Sequence, residues 1–165
     1  MVTDQGASGP PRPGSEGEPL PSTVPFDGFE LGVLTDRRVY APGETVRITV
    51  TATNHGGRFV EHHYPGWQRF VVSVRDEYHR AVADDELDRT AASPAVDRWL
   101  PGQVVIWPLY WNQQTGPLVP AWIPGTEIGS AVEPGRFRVR VTWLGREPGL
   151  RGQSPEAWSR PFELT

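Results

Sequence analysis

The sequence predicts an all-β protein, an immunoglobulin-like antiparallel β-sandwich of about seven strands behind a disordered N-terminal leader. Three observations predict it. Apolar residues recur at every second position in several short runs, turn signals punctuate the chain at short intervals, and 18 glycines with 18 prolines in 165 residues exceed what helix interiors tolerate. A small closed barrel is the alternative arrangement. No internal repeat is visible.

Residues 1–27 read as a Pro/Gly-rich leader, and residues 28–165 as one β-sandwich domain. The first 25 residues hold six prolines, four glycines and few apolar side chains, so ordering them gains too little burial to offset the entropy lost. Within them Pro10-Pro11-Arg12-Pro13 favours polyproline II, which serves as a solubilising tail or as a ligand for a proline-reading domain. The alternation then begins. Phe29, Leu31 and Val33 share one face of a strand, and Val46, Ile48, Val50 and Ala52 share one face of the next. Tyr40-Ala41-Pro42-Gly43-Glu44 turns the chain between them, because proline presets one dihedral and glycine accepts the positive φ that follows. Asn54-His55-Gly56-Gly57 ends the second strand in the same way. A third strand is predicted over 58–64. Pro65-Gly66 leads into a fourth over 67–74, where Phe70, Val72 and Val74 align.

Residues 83–98 are acidic and Ala/Ser-rich without a clear period, and read as a surface connection. Val104–Trp111 carries apolar residues on both faces, as a central strand does, yet Pro108 inside it demands a bulge or an edge. The clearest strand is 136–144, with Phe137, Val139, Val141 and Trp143 in phase and arginines between them. Phe162 and Leu164 mark a last short strand.

Composition narrows the function. The chain has no cysteine, which removes disulfides, thiolate catalysis and cysteine-ligated zinc, and agrees with an expected cytoplasmic location. It has no apolar run long enough for a membrane span, and no membrane partner is expected. All 16 basic residues are arginine. Residues 76–98 hold seven acids against three arginines, whereas 136–160 hold six arginines against two glutamates; the net charge is −4. A nucleic-acid partner, which requires a contiguous basic patch on a basic domain, is not expected.

G-x-S-x-G, a phosphate-cradling glycine loop and H-E-x-x-H are all absent, so the expectation is a non-catalytic protein without cofactor or metal. Glu61-His62-His63 looks metal-like, but neighbouring residues of a strand point to opposite faces, so both histidines cannot reach one ion. Glu61 and His63 with His79 or Asp76 form a conceivable set, against the plainer reading of a polar strand face. Asp84-Asp85-Glu86 lacks the spaced oxygens and turn glycine of a calcium loop and reads as a solvated acidic stretch.

Seven tryptophans are more informative. Trp143, in phase with its strand, is a core residue. Trp122 lies in the long connection 112–134, where Pro117, Pro120 and Pro124 restrict the backbone to extended forms and lower the entropy lost on docking. The candidate partner-binding loop is therefore Pro117, Leu118, Val119, Pro120, Trp122, Ile123 and Pro124, against the alternative that Trp122 and Ile123 fold back onto the sandwich.

Four motifs in order carry a resemblance. VRITVTATN over Val46–Asn54 comes first, then Tyr64-Pro65-Gly66-Trp67-Gln68-Arg69-Phe70 leading to Val74-Arg75-Asp76. Leu100-Pro101-Gly102-Gln103 follows with Trp111-Asn112-Gln113, and then Val132-Glu133-Pro134-Gly135-Arg136-Phe137-Arg138-Val139. Over about residues 29–144 this resembles the BsuPI-type intracellular proteinase inhibitors. Ala81-Val82-Ala83-Asp84 stands where that family carries a tryptophan-rich segment, and the connection after Trp111 is longer than the family's. The resemblance implies an immunoglobulin-like sandwich acting as a monomer on a protein partner, an intracellular subtilisin-like serine protease. A second reading is a structural or adhesion-type module, since residues 36–44 are also similar to the opening strand of macroglobulin-like and bacterial surface domains.

Overall fold

Strands whose alternate residues are apolar can leave water only by laying those faces together, and two sheets do so here. The computed structural model describes residues 22–85, 93–118, 129–149 and 152–165. Its strands, in chain order, are β1 (Ser22–Phe26), β2 (Phe29–Thr35), β3 (Val39–Tyr40), β4 (Val46–Asn54), β5 (Val60–Tyr64), β6 (Phe70–Asp76) and β7 (Ala81–Asp84). Then come β8 (Ala95–Trp99), β9 (Val104–Trp111), β10 (Gly116–Pro117), β11 (Gly135–Trp143), β12 (Glu156–Trp158) and β13 (Phe162–Leu164). One sheet runs β1-β2-β4-β9. The second runs β10-β7-β6-β11-β13-β3, with β12 also on β11, while β5 and β8 form a separate two-stranded ribbon. Among the described residues only β10 with β7 and β13 with β3 pair in parallel. The fold is the expected immunoglobulin-like antiparallel sandwich, with extra short strands that periodicity does not reveal.

Three expectations change. The domain boundary moves forward, because β1 pairs with β2 from Ser22↔Val33 to Phe26↔Phe29. Asp27 and Gly28 close that hairpin at φ +45° and +80°, the two left-handed positions of a type I′ turn. Residues 22–27 thus belong to the sandwich rather than to a leader; 1–21 lie outside the described residues. Second, residues 83–98 are not simply a connection. They contain the end of β7 and all of β8, whose inward side carries Ala95, Asp97 and Trp99, a mixture that hides the period.

Third, among the described residues β9 is an edge strand and not a central one. The Asn54 N–H donates to Gln103 O at 2.9 Å, which sets the phase of the β4–β9 ladder. In that phase Val105, Trp107, Leu109 and Trp111 bond back to β4, and Val104, Ile106, Pro108 and Tyr110 point their backbone groups outward. Pro108 has no N–H to lose there, and the conflict between its position and its strand disappears. Val104 and Ile106 are 53% and 60% exposed, so the second apolar face of β9 faces solvent rather than a neighbour.

The core lies between the inner faces, with Leu31, Val33, Ile48 and Val50 on one side and Val72, Val139, Val141 and Trp143 on the other, all fully buried. Among the described residues Trp143 touches the most rings. Its centroid lies 5.8 to 6.5 Å from those of Phe26, His62, Tyr64, Phe70, Trp99 and Trp107. Replacing it by alanine is expected to cost about 3–5 kcal/mol, read as a lowered urea midpoint at unchanged slope. A chain beginning at residue 28 is expected to melt several degrees below one beginning at 22, because it lacks β1 and the Phe26 ring; equal melting temperatures would deny β1 a structural part.

Candidate functional site

Asn54 closes β4 at one end of the sandwich, and its side chain is fully buried. A buried primary amide is costly unless its two N–H groups and its oxygen are satisfied. Here Nδ2 donates to the carbonyls of Arg58 (3.0 Å), Leu100 (3.1 Å) and Trp99 (3.3 Å), while Oδ1 accepts from Gly56 N–H at 2.9 Å. One side chain therefore ties the turn after β4 to the turn after β8. The backbone adds to the tie, since Gly102 N–H donates to Asn54 O at 2.8 Å. Within the second turn Leu100 N–H donates to Gln103 Oε1 at 2.8 Å and Gln103 N–H returns to Leu100 O at 3.0 Å.

Two apolar side chains stand on this braced end. Val60 pairs with Trp99, so Phe59 and Leu100 occupy the next register position, and they are 66% and 52% exposed. The Arg58 guanidinium anchors the same turn through Glu147, 2.9 Å away. The sequence places Phe59 inside the strand predicted over 58–64 and Leu100 in a Leu-Pro-Gly turn, and marks neither as a contact residue. The available signal is a strand-ending Asn before Gly-Gly, paired with a Leu-Pro-Gly-Gln turn.

The ribbon beneath them is held by rings. On its inner side Trp99 meets Phe29 edge-on at 5.1 Å and Trp143 at 5.9 Å, and the His62 ring lies 4.4 Å from Phe29. Midway along the ribbon Arg69 grips Asp97 through Nε (2.5 Å) and Nη2 (2.8 Å), with its guanidinium 4.5 Å above the ring of Tyr64 at the far end. Gly145 passes so close that a Cβ there would come within 2.6 Å of Tyr64 and 2.7 Å of the Trp143 indole nitrogen. No side chain fits at that position.

The histidine pair divides as strand geometry demands. His62 is buried, and Nδ1 faces the Trp143 indole N–H at 3.4 Å; burial pushes its pKa down to about 4, against a smaller opposing pull from Glu147, Asp97 and Asp27. His63 points to solvent, with Nε2 2.6 Å from Glu61, and Arg98 holds the other oxygen of that carboxylate at 3.3 Å. His63 and Arg98 together keep Glu61 below the usual carboxylate range. His79 lies in the turn between β6 and β7 against Trp158, and Asp76 binds the backbone of Tyr78 and Arg80. Among the described residues no three His, Asp or Glu side chains are grouped to hold an ion.

At the opposite end Gln113 repeats the device from φ +58°. Its Nε2 donates to Ala41 O (2.7 Å) and Glu44 O (2.8 Å), and its Oε1 accepts from Gly43 N–H at 3.2 Å. The connection beyond begins as β10. Pro117 is exposed there, beside Asp84 of β7. Leu118 donates its N–H to Asp84 O at 2.7 Å and packs its side chain against the core, which makes it a fold contact rather than a presented one. Val119, Pro120, Trp122, Ile123 and Pro124 lie outside the described residues.

No family model matches the chain, and no curated protein matches it in sequence. Among solved structures it is similar to a β-glucosidase from Listeria innocua at 16% identity and TM-score 0.42, covering 82% of this chain and 16% of that one. The CARDB domain of the PF1109 protein from Pyrococcus furiosus matches at 11% identity and TM-score 0.42, over 87% of this chain and 95% of that one. Spo0M, a sporulation control protein from Bacillus subtilis, matches at 13% identity and TM-score 0.42, over 84% and 50%.

Asn54→Ala is expected to cost about 2–4 kcal/mol, since it orphans several buried polar groups at once, and to raise amide exchange in residues 55–59 and 100–103. The His62 ring makes stability depend on pH. Its folded pKa lies below its unfolded value, so its contribution is complete above about pH 6.5 and is lost as pH falls toward 4, amounting to about 3 kcal/mol. His62→Phe is expected to flatten the melting temperature between those limits; an unchanged slope would assign the dependence to other groups.

Proposed function

We propose that this protein is a non-catalytic protein-binding module whose contact surface is the braced end bearing Phe59 and Leu100. The observation that carries the reading is the Asn54 amide, which fixes both turns before any partner arrives. Loops ordered in advance lose little entropy on docking, and exposed apolar side chains on such loops are efficient anchors. The partner is an intracellular subtilisin-like serine protease, as the resemblance of Val46–Asn54, 64–76, 100–113 and 132–139 implies. Proteinase inhibition needs no chemistry from the inhibitor; it needs a rigid surface that a cleft grips without cleaving. The proline-stiffened stretch 117–124 supplies a second contact, with Val119, Trp122 and Ile123 as the apolar side chains it offers.

Inhibition of a recombinant intracellular subtilisin tests this. The wild-type chain is expected to inhibit at micromolar concentration, and Phe59→Ala with Leu100→Ala to weaken inhibition by about 2 kcal/mol or more, roughly thirtyfold, without a change in melting temperature. Trp122→Ala, measured alongside, separates the two contacts. Absence of inhibition by the wild type rejects the protease and returns the chain to the structural-module reading; equal inhibition by wild type and double variant rejects the Asn54 end.

A further inference from the structure

The outer face of the second sheet gathers arginines that the sequence scatters. Val74, Val139 and Ser159 are buried against the core, so their neighbours Arg75, Arg138 and Arg160 stand on the solvent side. Arg138 lies directly across the ladder from Arg75. On its other flank Ser159 N–H donates to Val139 O at 2.8 Å and Val139 N–H donates to Ser159 Oγ at 2.9 Å, which sets Arg160 beside Arg138. Three arginines thus form one row across the sheet, and Arg136 lies two residues further along β11. The acids nearby leave that row unneutralised. Asp76 is taken by Arg80 and Glu156 by Arg140, Asp84 lies across from Ser73 in the adjoining row, and Glu163 stands across from Arg136 without an ion pair. Among the described residues Arg136, Arg138 and Arg160 have no acidic partner. Rings flank the row. The turn between β6 and β7 folds over this face, for His79, at φ +62°, sets its ring edge-on to Trp158 at 5.7 Å. His79 O accepts from Arg75 Nη1 at 2.6 Å and Ser73 Oγ accepts from Nε at 3.1 Å, so this guanidinium is already held in place. Tyr78, next to His79 in the turn, is 69% exposed.

We propose that this face binds single-stranded nucleic acid, a partner that the sequence does not lead one to expect. Like charges directly opposite one another weaken a sheet, so the row is kept at a cost to the folded chain that a bound polyanion relieves. Phosphates are such an anion, and guanidinium forks suit them. An acidic peptide answers the charge alone. Tyr78, His79 and Trp158 beside the row suit bases, which stack on aromatic rings whatever their sequence. A duplex fits less well, because its bases are read by elements that enter a groove and this face is the surface of a sheet. Phe59 and Leu100 belong to other elements, so this proposal and the protease reading stand or fall separately.

Fluorescence anisotropy of a labelled oligothymidylate of about 20 nucleotides, titrated with the full chain, tests it. The wild type is expected to bind with a micromolar Kd at about 50 mM salt, and log K to fall with log salt at a slope of about −3, as four arginines displacing counterions from a single strand require. Arg138→Glu is expected to weaken binding about tenfold or more and, by giving Arg75 an opposite charge, to raise the melting temperature by about a degree. Lost binding in a more stable chain separates the face from mere folding. Tyr78→Ala is expected to weaken binding about fivefold or more with the salt slope unchanged. No binding by the wild type at about 100 µM, the weak end of non-specific affinities, overturns the proposal, as does an affinity that Arg138→Glu leaves intact. Polyglutamate of matched length bound as tightly as the oligonucleotide, or an oligonucleotide affinity that Tyr78→Ala does not change, overturns nucleic acid as the partner.

Discussion

A two-stranded ribbon does not persist in water on its own hydrogen bonds, and among the described residues β5 with β8 has no third strand. What keeps it on the sandwich is ring packing, with Trp99, His62 and Tyr64 set around Trp143 and Phe29. The turns that bear Phe59 and Leu100 are the ends of that ribbon, so the proposed surface inherits its position from the core. The backbone takes part in this fit. Gly145 lets the chain after β11 run directly against Tyr64 and the Trp143 indole, and any larger residue would lift the ribbon away. A short backbone bridge, His63 N–H to Arg146 O at 2.8 Å and Arg146 N–H to His63 O at 3.0 Å, fixes the same approach from outside.

The chain has no cysteine with which to brace its loops. Amides do that work here, and the physics differs from that of a disulfide. A disulfide constrains the unfolded chain, whereas Asn54 and Gln113 act only in the folded state, where the surrounding apolar groups exclude competing water. Each is placed at a strand end, where several backbone carbonyls converge with no ladder partner. Burying the amide there gives these carbonyls a donor, or a second one beside the turn N–H that Leu100 O and Ala41 O already accept, which offsets its own desolvation.

The long strands were legible because one face of each is uniformly apolar: Val46, Ile48, Val50 and Ala52 in β4, and Phe137, Val139, Val141 and Trp143 in β11. Opposed orientation of His62 and His63 followed from the two-residue period alone. What the sequence concealed is tertiary. β8 turns Asp97 inward because Arg69, 28 residues away, meets it, and no local pattern announces such a pair. β9 looks central because both its faces are apolar, and only the sheet order shows that one of them faces solvent. Leu118 looked presentable among prolines, yet Asp84 O draws its backbone onto β7. Phe59 and Leu100 were invisible as a pair because only the Asn54 amide brings their turns together.

That amide reaches carbonyls 45 and 46 residues away, and Gln113 reaches carbonyls 69 and 72 residues away. Neither can meet those distant carbonyls until the intervening strands have been brought together, so the entropy of closing those long loops is met before the long-range half of either clamp contributes anything. Those bonds are therefore expected to form after the ladders. Interactions made after the main barrier do not hasten arrival at the native state; they lengthen the time the molecule stays there once it has arrived.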